Sequence, residues 1–82
     1  MQGRRVYDEF PGNPGEYRKN VDGTWLLCLP TGIHGTINNK IWSIIEHEDG
    51  TITVSPSILT TVASNPELTW HGYLEKGIWR TV

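Results

Sequence analysis

The sequence is poor in the features that mark secreted and membrane proteins. It has one cysteine, Cys28, and therefore no internal disulfide. No charged segment followed by an apolar run opens the chain, so we do not expect secretion. No apolar run approaches the roughly 20 residues that a membrane-spanning helix needs. These absences predict a soluble protein of a reducing cytoplasm, without contact to a membrane.

Strong charge and catalytic motifs are also lacking. The formal net charge of -2 argues against direct binding of nucleic acid, which usually requires a basic face. The nine glycines stand singly, so no glycine-rich loop can hold phosphates. Ser55 or Ser57 could approach His71, but neither serine stands in a nucleophile elbow. A chain of 82 residues also leaves little room for a concave pocket. We therefore predict that the protein is not an enzyme.

Aromatic residues, in contrast, are abundant, with four Trp, three Tyr and one Phe. Each aromatic side chain buries roughly 150 to 250 Å², so an aromatic and β-branched core is expected. Residues 25–29 form a short apolar run before Pro30, which predicts a strand buried on both faces. Residues 33–37 alternate and predict a second strand that pairs with the first across a tight turn.

A first hairpin is predicted from residues 41–48 and 51–54, and its register decides the loop length. A three-residue loop at residues 48–50, with Gly50 in the left-handed region, brings four apolar residues onto one face. These are Trp42, Ile44, Ile52 and Val54. A two-residue loop would divide them between the faces. We therefore predict the three-residue loop, with Glu46 as an unusual acid on the apolar face.

A second hairpin is predicted from residues 69–74 and 78–81, around the sequence Glu75-Lys76-Gly77. The same three-residue register places Tyr73 opposite Trp79, a pairing that cross-strand aromatic contacts favour. His71, Tyr73 and Trp79 then form a solvent-facing set, which is the predicted binding surface. The alternative is that this face is a second core face beneath the N-terminal arm.

Two segments of the sequence each allow two structural interpretations. Ser55-Pro56 is expected to end a strand, and residues 55–64 suit either a short helix, begun by a Ser cap and Pro, or an extended segment. Residues 1–20 contain Pro-Gly-Asn-Pro-Gly and predict an irregular N-terminal arm. The arm is either an ordered loop over a sheet or a dedicated binding arm.

The predicted fold is therefore mainly β, with residues 21–82 as a single β-rich domain. It consists of a small antiparallel sheet or partial barrel, built from two hairpins plus one or two strands, with at most one short helix.

Residues 53–59, Thr-Val-Ser-Pro-Ser-Ile-Leu, and residues 70–79, Trp-His-Gly-Tyr-Leu-Glu-Lys-Gly-Ile-Trp, carry a family resemblance. They resemble short, mostly phage-encoded proteins of unknown function, some of which are labelled "ammonia monooxygenase". That family has a Cys-Pro motif followed by a His, a Trp-containing strand, the Ser-Pro-Ser motif and a Cys-His-(Gly/Ser) hairpin. The resemblance extends over residues 28–79.

The resemblance also implies a candidate zinc site. The Cys and His residues of the family look like zinc ligands, and the matching positions here are Cys28, His34 and His71. This chain departs from the pattern because Trp70 stands where a cysteine is expected, and because its first motif has one cysteine. A closed structural zinc site needs four ligands. We therefore expect that the protein binds no cofactor, and the alternative is that it binds zinc.

Three functions follow as hypotheses. The first is a non-enzymatic phage accessory protein in the host cytoplasm, which binds a host protein such as a defence or regulatory component. The second is a virion decoration or tail accessory protein, whose arm reaches over a neighbouring subunit. The third is a small zinc-binding module.

Overall fold

The structure is a computed structural model that describes residues 1–82 and contains two four-stranded sheets. Sheet 1 consists of β1 (Arg4–Arg5), β2 (Glu16–Lys19), β3 (Trp25–Cys28) and β4 (His34–Ile37), in that order. Sheet 2 consists of β5 (Ser43–Glu46), β6 (Ile52–Thr60), β7 (Trp70–Glu75) and β8 (Ile78–Thr81), also in that order. All neighbouring strands are antiparallel except β1 and β2.

The predicted mainly β fold is confirmed. Its one helical element is a short 3₁₀ turn at Pro66–Leu68, and the strands do not close into a barrel. The arm supplies two more strands than expected, because β1 and β2 both lie within residues 1–20. The arm is therefore not irregular throughout. None of the helical structure has the length and apolar character needed to span a bilayer.

One hydrophobic cluster of 11 buried residues joins the two sheets. Sheet 1 contributes Tyr17, Trp25, Leu27 and Ile37, together with Leu29 just after β3. Sheet 2 contributes Ile52, Val54, Ile58, Trp70, Leu74 and Trp79. Three of the four tryptophans lie in this cluster, and Trp42 packs against it. Because large aromatic side chains bury the most surface per residue, they let so short a chain build a shared core.

The predicted strand at residues 25–29 is buried on its core side, and on its outer side Cys28 is buried while Leu26 is half-buried. Trp25 and Leu27 point into the shared core, whereas Cys28 points outward and is nevertheless 0% exposed. Residues 7–15, which we call the covering loop, lie over this outer face. His34 Nε2 is 2.7 Å from the Pro11 carbonyl oxygen and fastens the loop. The covering loop therefore buries the Cys28 end of the outer face of sheet 1, while Thr36 on the same face stays exposed.

The first hairpin has the predicted three-residue loop. The His47 N–H donates to the Thr51 carbonyl oxygen at 2.8 Å, and Gly50 adopts the positive φ of 88° that this loop requires. Ile44 consequently lies opposite Val54, and the four apolar residues share the core face. The Asp49 carboxylate accepts hydrogen bonds from the hydroxyl and N–H of Thr51, which lower the pKa of Asp49 and hold the turn.

Glu46, the acid predicted on the apolar face, connects the two sheets at their border. Its carboxylate oxygens accept hydrogen bonds from Lys19 Nζ at 2.6 Å and from Arg5 Nη1 at 3.1 Å. The hydrogen bond from Lys19 is the main reason why the pKa of Glu46 lies below its usual value. Both cations belong to sheet 1, whereas Glu46 belongs to sheet 2. Glu46 is tolerated at this position because its charge is paired with cations of the other sheet.

The prediction that Ser55-Pro56 ends a strand is wrong, because β6 continues through both residues to Thr60. The register against β7 shifts between Val54 and Ile58, so residues 55–57 all lie opposite Tyr73. On the other side of β6, the pairing with β5 ends at Ser55. Pro56 therefore sits where neither neighbour requires its missing N–H, and residues 55–60 are extended.

Candidate protein-binding face

The second hairpin differs from its predicted register by one residue. Leu74 pairs with Trp79 and Tyr73 pairs with Arg80, so the loop has only two residues, Lys76 and Gly77. Both loop residues have positive φ, 48° and 75°, as a type I′ turn requires. The prediction that Tyr73 lies opposite Trp79 is therefore wrong, and the two aromatic side chains point to opposite faces of sheet 2.

The surroundings of Trp79 explain this register. The side chain is 3% exposed and packs edge-on against Trp70, with ring centroids 5.4 Å apart. Its indole N–H donates to the Gly15 carbonyl oxygen at 2.9 Å, so the buried polar atom is satisfied. Of the three residues predicted to face the solvent, Trp79 belongs to the core.

The outer face of sheet 2 is the side turned away from the shared core, and no part of the chain covers it as the covering loop covers sheet 1. Three large aliphatic residues are exposed on it: Ile45 at 53%, Leu59 at 58% and Ile78 at 49%. His71 is exposed beside Leu59, its partner across β6 and β7, while Tyr73 is half-buried. The alternative that the predicted set lies beneath the N-terminal arm holds for Trp79, which donates hydrogen bonds to the Met1 and Gly15 carbonyl oxygens, but not for the exposed His71.

Tyr73 contacts the charged side chain of Arg80 on the same face, and Arg80 is in turn paired with Glu75. The Arg80 guanidinium carbon lies 4.5 Å from the centroid of the Tyr73 ring, which is a cation–π contact. The Arg80 guanidinium also donates to the Glu75 carboxylate at 2.8 and 3.2 Å. Arg80 was absent from the predicted set, since the register error had placed it on the other face. The pair leaves the centre of the face electrically neutral.

His71 takes part in a local hydrogen bond. Its Nε2 lies 2.9 Å from Ser57 Oγ, so the Ser57–His71 approach considered from the sequence occurs in the structure. The pair is exposed, and His71 Nδ1 has no hydrogen-bond partner that would orient the ring. The one pocket of the molecule lies elsewhere, in sheet 1 and the adjoining loops. The arrangement is a surface hydrogen bond that helps to fix residues 55–57 opposite Tyr73 on the neighbouring strand.

The structure does not bring the candidate zinc ligands together. Cys28 and His34 pair across β3 and β4, whereas His71 is in sheet 2. No group of three or more His, Cys, Asp or Glu side chains is arranged to hold a metal ion. Burial raises the pKa of the Cys28 thiol and so opposes the thiolate form that binds zinc. The His34 imidazole instead contacts the covering loop.

Sequence and structure comparisons add no further constraint on the site. No family model, no curated protein and no solved structure matches the chain. The resemblance to the phage-encoded family stays a prediction.

Proposed function

We propose that the protein works without catalysis, by binding another protein through the outer face of sheet 2. The contrast between the two sheets carries this proposal. The covering loop lies over part of the outer face of sheet 1, whereas the outer face of sheet 2 has no such cover and exposes Ile45, Leu59 and Ile78 around Tyr73. Aromatic and aliphatic side chains on a rigid sheet are effective anchors, because they lose little conformational entropy on binding.

The charges on this face define the chemistry of the partner. Glu75 and Arg80 are its charged strand residues, and they neutralise one another at 2.8 Å. A complementary partner surface should have an apolar centre with few charges, and binding should depend little on salt. A specific interface of standard size takes about 800 Å² from each partner, which is a modest share of the protein's 5001 Å² of accessible surface.

A role as a phage accessory protein is compatible with this binding mode, and the partner would then be a host defence or regulatory protein in the host cytoplasm. A virion component would use the same face against a neighbouring subunit. In both cases the binding residues are Leu59, His71, Tyr73 and Ile78, with Arg80 in support.

Leu59→Asp is the variant that tests the proposal. Leu59 is 58% exposed, so the variant should fold normally, but it places a charge within the proposed apolar contact. We expect it to weaken binding to a purified partner by about 30-fold, the effect of losing one strong anchor. Isothermal titration calorimetry at low and high salt measures both the loss and the predicted salt independence.

Thr36→Asp is the matched control, because Thr36 is an exposed strand residue on the opposite sheet. It should leave the affinity unchanged. Equal losses for the two variants, or a partner whose binding persists in Leu59→Asp, would contradict the assignment of the face.

A further inference from the structure

The molecule has one pocket, where the end of β2 meets the start of the covering loop. Its volume is about 340 Å³, and it is open to solvent. Six residues line it: Tyr7, Asp8, Arg18, Lys19, Asn20 and Val21. The volume lies at the lower end of the range for small-molecule sites.

Arg18 is the one arginine of the chain that forms no ion pair with a carboxylate, and it lines this pocket together with Asp8. The other three arginines, Arg4, Arg5 and Arg80, all form ion pairs with carboxylates. Arg18 instead donates to two neutral oxygens, the Glu9 carbonyl at 3.4 Å and the Asn20 side-chain carbonyl at 3.2 Å. These bonds orient the guanidinium without neutralising it. Lys19 also lines the pocket, but its ammonium is paired with Glu46.

Tyr7 and Asp8 add two further recognition groups. The Tyr7 ring is 63% exposed, and the Arg5 guanidinium stacks 4.7 Å from its centroid, which fixes its orientation. A fixed and accessible aromatic ring is a platform on which a flat ring can stack. The Asp8 carboxylate forms no ion pair and can accept hydrogen bonds from N–H groups of such a ring.

We propose that this pocket binds a mononucleotide, with its phosphate on the Arg18 guanidinium and its base against the Tyr7 ring. A guanidinium donates two parallel hydrogen bonds to a phosphate, which suits the oriented side chain of Arg18. The base would donate N–H groups to Asp8. A nucleic-acid strand fits less well, because one free arginine on a chain of net charge -2 cannot contact successive phosphates. The pocket is separate from the outer face of sheet 2, so a negative result for one proposal does not affect the other.

The test is a titration of the full chain with guanosine 5′-monophosphate, followed through backbone amide signals in NMR spectra. Guanine presents adjacent N–H donors that can pair with a carboxylate. The amides of residues 7, 8 and 18–21 should shift and saturate, while those of sheet 2 stay in place. Arg18→Gln should weaken binding by about tenfold, the effect of losing a charge-assisted hydrogen bond. Lys40→Gln removes one charge from a loop outside the pocket and should have no effect.

Inorganic phosphate and guanosine, titrated separately, test the two halves of the ligand. Each should bind more weakly than the nucleotide, because it reaches only Arg18 or only Tyr7 and Asp8. The proposal is overturned by an absence of saturable shifts up to about 10 mM nucleotide, by undiminished binding in Arg18→Gln, or by equal affinity for phosphate alone.

Discussion

Trp79→Ala is expected to lower the free energy of unfolding by about 4 kcal/mol, the typical cost of truncating a buried tryptophan. The side chain is 3% exposed, packs against Trp70 and donates a buried hydrogen bond to the Gly15 carbonyl oxygen. Its loss leaves a cavity and removes one of the two hydrogen bonds that the Gly15 carbonyl oxygen accepts, the other coming from the Arg4 N–H. Since native proteins are stable by only about 5 to 15 kcal/mol, the variant should lose a large part of its stability. Urea denaturation followed by far-ultraviolet circular dichroism measures the change.

Tyr73→Ala is the matched control on the neighbouring strand. Tyr73 is half-buried and contacts Arg80 from the outer face, so its loss should cost about 1 kcal/mol. The comparison tests the two-residue loop of the second hairpin directly. If both variants were equally mild, Trp79 would be on the solvent side, and the pairing of Leu74 with Trp79 would be refuted.

Gly72→Ala is the second substitution with a large expected effect, about 3 kcal/mol of destabilisation. A methyl group at this position would collide with the backbone carbonyl oxygen of Arg80 and with the Trp70 ring. The backbone oxygen cannot move without distorting β8, and the ring is confined by the core. The midpoint of thermal unfolding should fall accordingly, and chemical denaturation gives the free energy.

Gly35→Ala makes the same change in another strand, β4, where the added carbon would meet only Thr60 Oγ1 at an ordinary 3.5 Å. We expect it to change stability by less than about 0.5 kcal/mol. A Gly72→Ala variant as stable as Gly35→Ala would mean that β7 and β8 are not as closely apposed as described.

The two hairpins show how far the sequence determines register. In the first hairpin, only one loop length unites Trp42, Ile44, Ile52 and Val54, and that loop is observed. In the second, both loop lengths give plausible pairs, either Tyr73 with Trp79 or Leu74 with Trp79. The choice depends on contacts of Trp79 with Trp70 and with Gly15, which is 64 residues away in sequence. Local patterns carry no information about such a distant acceptor.

The structures of the N-terminal arm and of the Ser-Pro-Ser segment also depend on contacts that are distant in sequence. Residues 1–20 are rich in turn formers, yet the Gly3 N–H donates to the Gly77 carbonyl oxygen, and β2 pairs with β3. These distant edges impose extended structure on a sequence that is locally irregular. Likewise Pro56 is tolerated within β6 because the register shift leaves no residue of β7 that requires a hydrogen bond from an N–H at this position. The candidate face was therefore only partly predictable: His71 and Tyr73 were identified, whereas Arg80 depended on the register.

The central claim is that the outer face of sheet 2 contacts a partner protein. The most direct test introduces a photo-crosslinking phenylalanine analogue at position 73, on this face, and separately at position 36 on sheet 1. Both proteins are irradiated with the same purified partner, and the adducts are resolved by mass spectrometry. The account predicts a covalent adduct from position 73 and none from position 36; an adduct from position 36 alone would contradict it.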